Sequence, residues 1–208
     1  MYQLPAVVLD ALRTYGTDRW EGALQHLLAT VGSLQERYAN ERTLQRIPVV
    51  VAPGERVSLS AGSHSALVKS ILDAFCACYT PGAQVVYVGD TQEKWAYFDQ
   101  DLLKTLGVTV EEHGKMPDVV VYDGTKRWLV LIEAVTSHGP VGPKRHAELK
   151  DLFAGAKVGL VFVTAFPDRR TLNRYLGDIA WETEVWVAES PTHLIHFNGE
   201  RFLGPYPE

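Results

Sequence analysis

The run Pro117-Asp118-Val119-Val120-Val121-Tyr122-Asp123-Gly124-Thr125-Lys126-Arg127-Trp128-Leu129-Val130-Leu131-Ile132-Glu133-Ala134-Val135 decides the fold. Two apolar stretches flank a short polar segment whose Asp-Gly is a tight-turn signal, which predicts an antiparallel hairpin. Strands this apolar, without in–out alternation, belong to a sheet covered on both faces. A turn centred between Thr125 and Lys126 sets Asp118 opposite Glu133, with Cβ atoms about 4.5–5.5 Å apart. Two carboxylates side by side at the end of an apolar sheet repel and raise one another's pKa. A divalent cation removes the conflict. Hard oxygen donors at this separation suit Mg²⁺, which accepts one or two carboxylates and keeps several waters.

Outward from the hairpin, a strand over Gln84–Gly89 ends at Gly89-Asp90-Thr91. In an antiparallel meander that end lies beside the start of the next strand. Asp90 is therefore either a third ligand beside Asp118 and Glu133 or an ordinary turn residue. Further strands are expected at Val158–Thr164, Val185–Ala188 and His193–Phe197, with helices near Gln100–Leu106, Pro143–Phe153 and Arg170–Leu176. Ser63 opens another helix to about Tyr79, with Leu67, Ile71, Leu72 and Phe75 on its inner face. The class is α/β, a mixed central sheet flanked by helices. Residues 6–46 repeat apolar positions at helical steps, among them Val8, Leu12, Trp20, Leu24, Leu27, Leu28, Val31 and Leu34. Breaks fall at Gly16-Thr17-Asp18 and Gly32-Ser33, with Asp18 and Ser33 as N-caps. Val49 to Arg56 reads as a short strand and turn marking the boundary between a helical lobe, 1–48, and the larger domain, 49–208.

The 208 residues are 46% hydrophobic and 22% charged, which excludes a disordered chain, a fibre and a disulfide scaffold. No apolar run approaches the roughly 18 residues of a membrane span, and the N-terminus lacks a signal-peptide pattern. A soluble, cytoplasmic protein is expected. Cys76 and Cys78, two apart on a helix, point to different faces and are not expected to pair. The net charge of −5 hides a segregation: residues 140–175 carry +4 and 176–208 carry −5. A basic face can engage phosphates in an acidic protein, or simply be solvated, and charge alone does not decide between them. Trp128, Trp181, Trp186 and Phe197 lie in apolar runs and are expected in the core. His193 and His196 have a short spacing seen in metal sites but flank Leu194-Ile195 in a terminal strand.

After the hairpin comes Val135-Thr136-Ser137-His138-Gly139-Pro140-Val141-Gly142-Pro143-Lys144-Arg145. Pro143 suits the first turn of a helix, which places Lys144 and Arg145 at an N-terminus where free N–H groups also favour anions. A phosphate held there, beside a metal on the carboxylates, would be placed for phosphodiester hydrolysis.

Pro117-Asp118 followed by Glu133 on the adjoining strand resembles the catalytic hairpin of PD-(D/E)xK nucleases. Several segments are similar to the BsuBI/PstI family of type II restriction endonucleases: Val86-Tyr87-Val88-Gly89-Asp90-Thr91, Pro117-Asp118-Val119-Val120, and Ile132-Glu133-Ala134-Val135-Thr136-Ser137-His138-Gly139-Pro140. Phe162-Val163-Thr164-Ala165-Phe166-Pro167 and Ala180-Trp181-Glu182-Thr183-Glu184-Val185-Trp186 belong to the same resemblance, which runs from about Leu59 to Gly204. It implies a restriction-endonuclease-like core and Mg²⁺-dependent cleavage of duplex DNA at a short palindrome, CTGCAG in the family prototypes. It further implies a homodimer and a separate cognate DNA methyltransferase in the host. By residue, Asp118 and Glu133 match the metal-binding carboxylates, with the Ala134 carbonyl as a further ligand. The broader motif has a lysine two residues after the glutamate, where this chain has Val135. Lys144 is the candidate substitute; His138 would act instead as proton acceptor or phosphate contact. Lys94 (near Trp95 and Tyr97), Ser137, Arg145, Arg169 and Arg170 are candidate DNA contacts. Residues 1–48 would correspond to part of an N-terminal DNA-binding domain. The alternative is a catalytically silent DNA-binding or protein-interaction module that keeps the nuclease fold.

Overall fold

The computed structural model describes residues 4, 6–30, 45–110 and 115–197. The chain divides into two units, 1–46 and 47–208. In the first, α1 (Ala6–Arg13) leads through a turn to α2, described over 20–30. Gly16 supplies the left-handed φ of 76° within that turn. At the start of α2 it is the Thr17 hydroxyl, rather than the expected Asp18, that accepts a backbone hydrogen bond, from Arg19 at 3.3 Å. The expected break at Gly32-Ser33, with Val31 and Leu34, lies outside the described residues.

In the second unit, β1 (Ile47–Ala52) and β2 (Glu55–Leu59) form an antiparallel hairpin. Glu55-Arg56, expected as turn, begins the returning strand, because Val57 and Leu59 alternate inward with polar residues between them. A helical run follows: α3 (Ser63–Ser70), a π-helical turn (Ile71–Phe75) and α4 (Cys76–Tyr79). Leu67, Val68, Ile71, Leu72 and Phe75 are all buried in one core cluster.

The main sheet comprises β3 (Gln84–Val88), β4 (Tyr97–Phe98), β5 (Val119–Asp123), β6 (Trp128–Ala134), β7 (Gly159–Phe166), β8 (Thr183–Val187) and β9 (Leu194–Phe197). Between them lie α5 (Gln100–Thr105), α6 (Pro143–Leu152) and α7 (Arg169–Tyr175). The seven strands run in the order β4-β3-β5-β6-β7-β8-β9. β6–β7 and β7–β8 are parallel, joined by crossovers carrying α6 and α7, and the other neighbours are antiparallel. The α/β class with a mixed sheet flanked by helices is as the sequence led us to expect. β4 escaped notice because two residues carry no period.

The central strands lack alternation because both faces are covered. Val119, Val121, Val130, Ile132 and Ala134 pack with the α3 cluster, while Val120, Leu129 and Leu131 pack with Leu103 of α5, Leu149 of α6 and Phe153 at the end of α6. The hairpin is closed by Asp123, whose Oδ1 accepts from the amides of Thr125 and Lys126, each at 3.0 Å. Given these directions, the start of β5 meets the ends of β3, β6, β7 and β8 at one end of the sheet. Asp118, Glu133 and Asp90 all belong to that end.

The tryptophans divide. Trp186 is fully buried and donates through Nε1 to the Pro191 carbonyl at 3.0 Å, but Trp181 is 70% exposed and Trp128 42%. Trp181 follows β7's crossover in a turn rather than a strand, and Trp128 opens β6 at the sheet's rim. By urea unfolding, Trp186→Ala is expected to cost about 3–5 kcal/mol and Trp181→Ala to stay within about 0.5 kcal/mol.

Candidate active site

The hairpin register pairs Val119 with Ile132 and Asp123 with Trp128. The next step sets position 118 against 133, as the turn position predicted. Just beyond the paired residues, Gly89 donates to the Asp118 carbonyl at 2.8 Å, joining the end of β3 to the same place.

Each carboxylate has its own partners. Asp118 Oδ2 accepts from the Ala134 amide at 2.7 Å, across the hairpin, and Oδ1 lies 3.2 Å from Nε2 of His64, at the start of α3. Glu133 Oε1 receives two nitrogens of Arg145, Nε at 2.8 Å and Nη2 at 2.6 Å. The same Nη2 donates to the Met116 carbonyl at 3.1 Å, and Nη1 stands 3.6 Å from Glu148.

The field at this end of the sheet is anionic. Burial and then the Asp118 charge push the Glu133 carboxyl up to about 7, against the pull of Arg145. The hydrogen bond to Asp118 raises the His64 imidazole; burial opposes it, and the charges of Asp118, Glu133 and Asp90 add to the rise. Tyr87, whose hydroxyl donates to the Lys94 carbonyl at 3.1 Å, is pushed up to about 12 by burial and by both carboxylates.

Asp90, which the sequence leaves open as a third ligand or a turn residue, is engaged by four donors. Its oxygens accept from the Ser60 amide at 2.7 Å, the Ser60 hydroxyl at 2.5 Å, Gln92 N at 3.1 Å and Glu93 N at 3.2 Å. Burial alone would raise this carboxyl, but the four bonds hold it below the usual range. Asp90 therefore ties the β2–α3 loop to the end of β3, and α3 begins three residues after Ser60, with His64 turned to Asp118.

Lys144 does not reach Glu133: its ammonium is 3.8 Å from Glu148 and its side chain is 92% exposed. The cation on Glu133 is its neighbour Arg145, expected as a DNA contact but occupied by Glu133 and Met116. Ser137 and His138 lie on the exposed loop after β6, with 3.3 Å between Ser137 Oγ and His138 Nδ1. Lys94 is exposed, 4.8 Å above the Trp95 ring, and Arg169 and Arg170 are exposed at the start of α7. Trp95 and Tyr97 are part-buried against the two cores. A cleft of about 570 Å³ adjoins Arg145, lined also by Lys115, Pro140, Pro143, Lys144 and Glu148. His64 and Ser60 had no sequence signal, since neither stands in a motif with residues near 118 or 133.

Among the described residues no group of three or more His, Cys, Asp or Glu side chains gathers as a metal cage. A water-rich Mg²⁺ site needs fewer, and two adjacent part-buried carboxylates, one held toward its neutral form by burial and by the other's charge, fit such an ion. Without metal, Glu133 favours the fold while protonated. That contribution is fully present below about pH 4.5 and is lost as pH rises to about 7. In EDTA, Glu133→Gln is expected to melt at least about 2 °C above the parent at pH 8, with the advantage gone at pH 4.5 by calorimetry.

Residues 47–200 match the sequence model of the BsuBI/PstI restriction endonuclease domain. The chain is 53% identical over 206 residues to the type II restriction enzyme BsuBI of Bacillus subtilis, covering 99% of this chain and 65% of that enzyme. It is 31% identical over 209 residues to the type II restriction enzyme AplI of Arthrospira platensis (strain NIES-39 / UTEX 3086 / IAM M-135), with coverages of 97% and 64%. The solved structure of the SdaI restriction endonuclease has a TM-score of 0.76 and 42% identity over 99% of this chain and 65% of that one. The chain thus spans 64–65% of the length of the curated relatives it matches. By the matched domain and by these identities, the chain belongs to the BsuBI/PstI restriction endonuclease family.

Proposed function

We propose that this chain carries the catalytic part of a Mg²⁺-dependent type II restriction endonuclease, hydrolysing phosphodiester bonds of duplex DNA at a short, CTGCAG-like palindrome. The observation that carries the reading is the pair Asp118 and Glu133, set side by side at a sheet end where burial and mutual charge raise Glu133 to about 7. Asp118, Glu133 and the Ala134 carbonyl would hold the ion. When bound, it polarises the scissile phosphate and makes its water a better nucleophile.

The protein's own groups do the rest. The Ala134 amide fixes the Asp118 carboxylate at 2.7 Å, so one oxygen is oriented before any substrate arrives. The cleft lined by Lys115 and Lys144, beside Arg145, offers cations to the DNA backbone. Ser137, His138, Lys94, Arg169 and Arg170, exposed on loops or helix starts, extend that contact surface. Of these, Lys144 and His138 are the groups proposed to act on the phosphate or the attacking water. A palindromic site calls for two-fold protein, hence a homodimer, and for a separate cognate methyltransferase that protects host DNA in the cytoplasm. No helix among the described residues is long and apolar enough to cross a membrane.

Val135, standing where the broader motif has lysine, favours a second reading: a silent nuclease-fold module that binds DNA or protein. Plasmid cleavage in excess Mg²⁺ separates the two. Discrete fragments from the parent protein, and a loss of at least about 100-fold in Glu133→Ala, are expected for the enzyme. Uncut plasmid in Mg²⁺ and in Mn²⁺, from folded protein that still binds DNA, would establish the silent module.

A further inference from the structure

The missing motif lysine has a structural explanation. Val135 is buried with Phe166, Leu172 and Val185, and its amide is bonded to the Ala165 carbonyl at 2.8 Å. A lysine there would have its charge in an apolar core. The cation at Glu133 comes from α6 instead. Pro143 takes the first turn of that helix, and Gly142 packs so closely on the Asp178 carbonyl that a Cβ would come within 2.9 Å of it. The Thr164 hydroxyl accepts from the Val141 amide at 3.1 Å, and Ala180 donates to the Val141 carbonyl at 2.9 Å. The start of α6 is thereby fixed against β7 and the segment before β8.

From that fixed start Arg145 reaches two segments at once. Two of its nitrogens hold Oε1 of Glu133 on β6, and one of them also holds the carbonyl of Met116, two residues before Asp118 on the chain entering β5. Neither bond involves Oε2. Glu148 stands behind the guanidinium at 3.6 Å and offsets its charge on the outer side. One planar fork therefore spans the approaches to both carboxylates, and only a guanidinium has donors spaced for it.

We infer that Arg145 is a positioning residue that sets Glu133 relative to Asp118 for a divalent cation, supplying from α6 the charge that a lysine at position 135 cannot. The inference rests on the metal-dependent nuclease reading. It assigns Arg145 to the metal site rather than to DNA, and it separates Arg145 from its neighbour Lys144.

The test uses the full chain and Arg145→Lys, which keeps the charge but loses the fork, with Arg145→Gln as a second variant should the first fail to fold. Two measurements are made in parallel: the Mn²⁺ concentration giving half the thermal stabilisation of DNA-free protein, and the Mg²⁺ concentration giving half-maximal cleavage. Both are expected to rise about tenfold or more in the variants. Cleavage by Arg145→Lys at saturating Mg²⁺ should return to within about threefold of the parent, with unchanged affinity for a labelled duplex. Unshifted metal midpoints with weaker duplex binding, and a salt slope reduced by about one, would overturn the inference and make Arg145 a DNA contact. Cleavage lost at every Mg²⁺ concentration, with normal Mn²⁺ stabilisation, would overturn it in favour of direct catalysis. A parent protein that neither cleaves nor gains stability from Mn²⁺ would sink the nuclease reading and this inference together.

Discussion

Two carboxylates that repel one another stand side by side at the end of an otherwise apolar sheet, and much of the surrounding structure serves to hold them there. The hairpin's backbone pairing brings them to the same place, one step beyond the Val119–Ile132 pair. The Ala134 amide steadies Asp118 from within the hairpin, His64 approaches it from α3, and Arg145 approaches Glu133 from α6. Buried charges without partners are costly, so each of these contacts stabilises a feature that apolar packing alone would remove. Glu133 remains perturbed in spite of them. That residual imbalance is what a hard divalent cation would correct.

The distant elements can be understood from the same requirement. Asp90 saturates itself on Ser60, Gln92 and Glu93, and in doing so fixes the loop from which α3 departs. The 135–142 segment bends over β7 through Val135, Val141 and Thr164, and delivers α6 with Arg145 in its first turn. Elements from different core clusters thus place a nitrogen donor on each carboxylate, the His64 imidazole on Asp118 and the Arg145 guanidinium on Glu133. These contacts hold the pair without a lysine at position 135.

The sequence disclosed the hairpin because its information is local: two apolar runs, one Asp-Gly, and a turn length that sets register. From register alone Asp118 and Glu133 met. The parallel strands and α6 were likewise visible in continuous apolar runs and in Pro143. What stayed hidden depends on contacts distant in sequence. His64 is 54 positions from Asp118, and no spacing rule links an imidazole on one element to a carboxylate on another. Arg145 and Lys144 are adjacent cations at a helix start, and only the phase of α6 decides which one turns inward. Gly-Asp-Thr reads equally as ligand and as turn until Ser60 is seen beneath it. Trp181 sits in an apolar run yet projects from a turn, since composition reports hydrophobicity and not which way the backbone points.

The cation site proposed at Asp118 and Glu133 can be observed directly. Its most direct test is the anomalous difference map of a crystal soaked in Mn²⁺, collected beside an Asp118→Asn crystal treated identically. One strong peak is expected in the parent within bonding distance of both carboxylates, with Arg145 still on Glu133, and no peak in the variant. A parent map empty at that position, with Asp118 still held by His64 and Glu133 by Arg145, would contradict it.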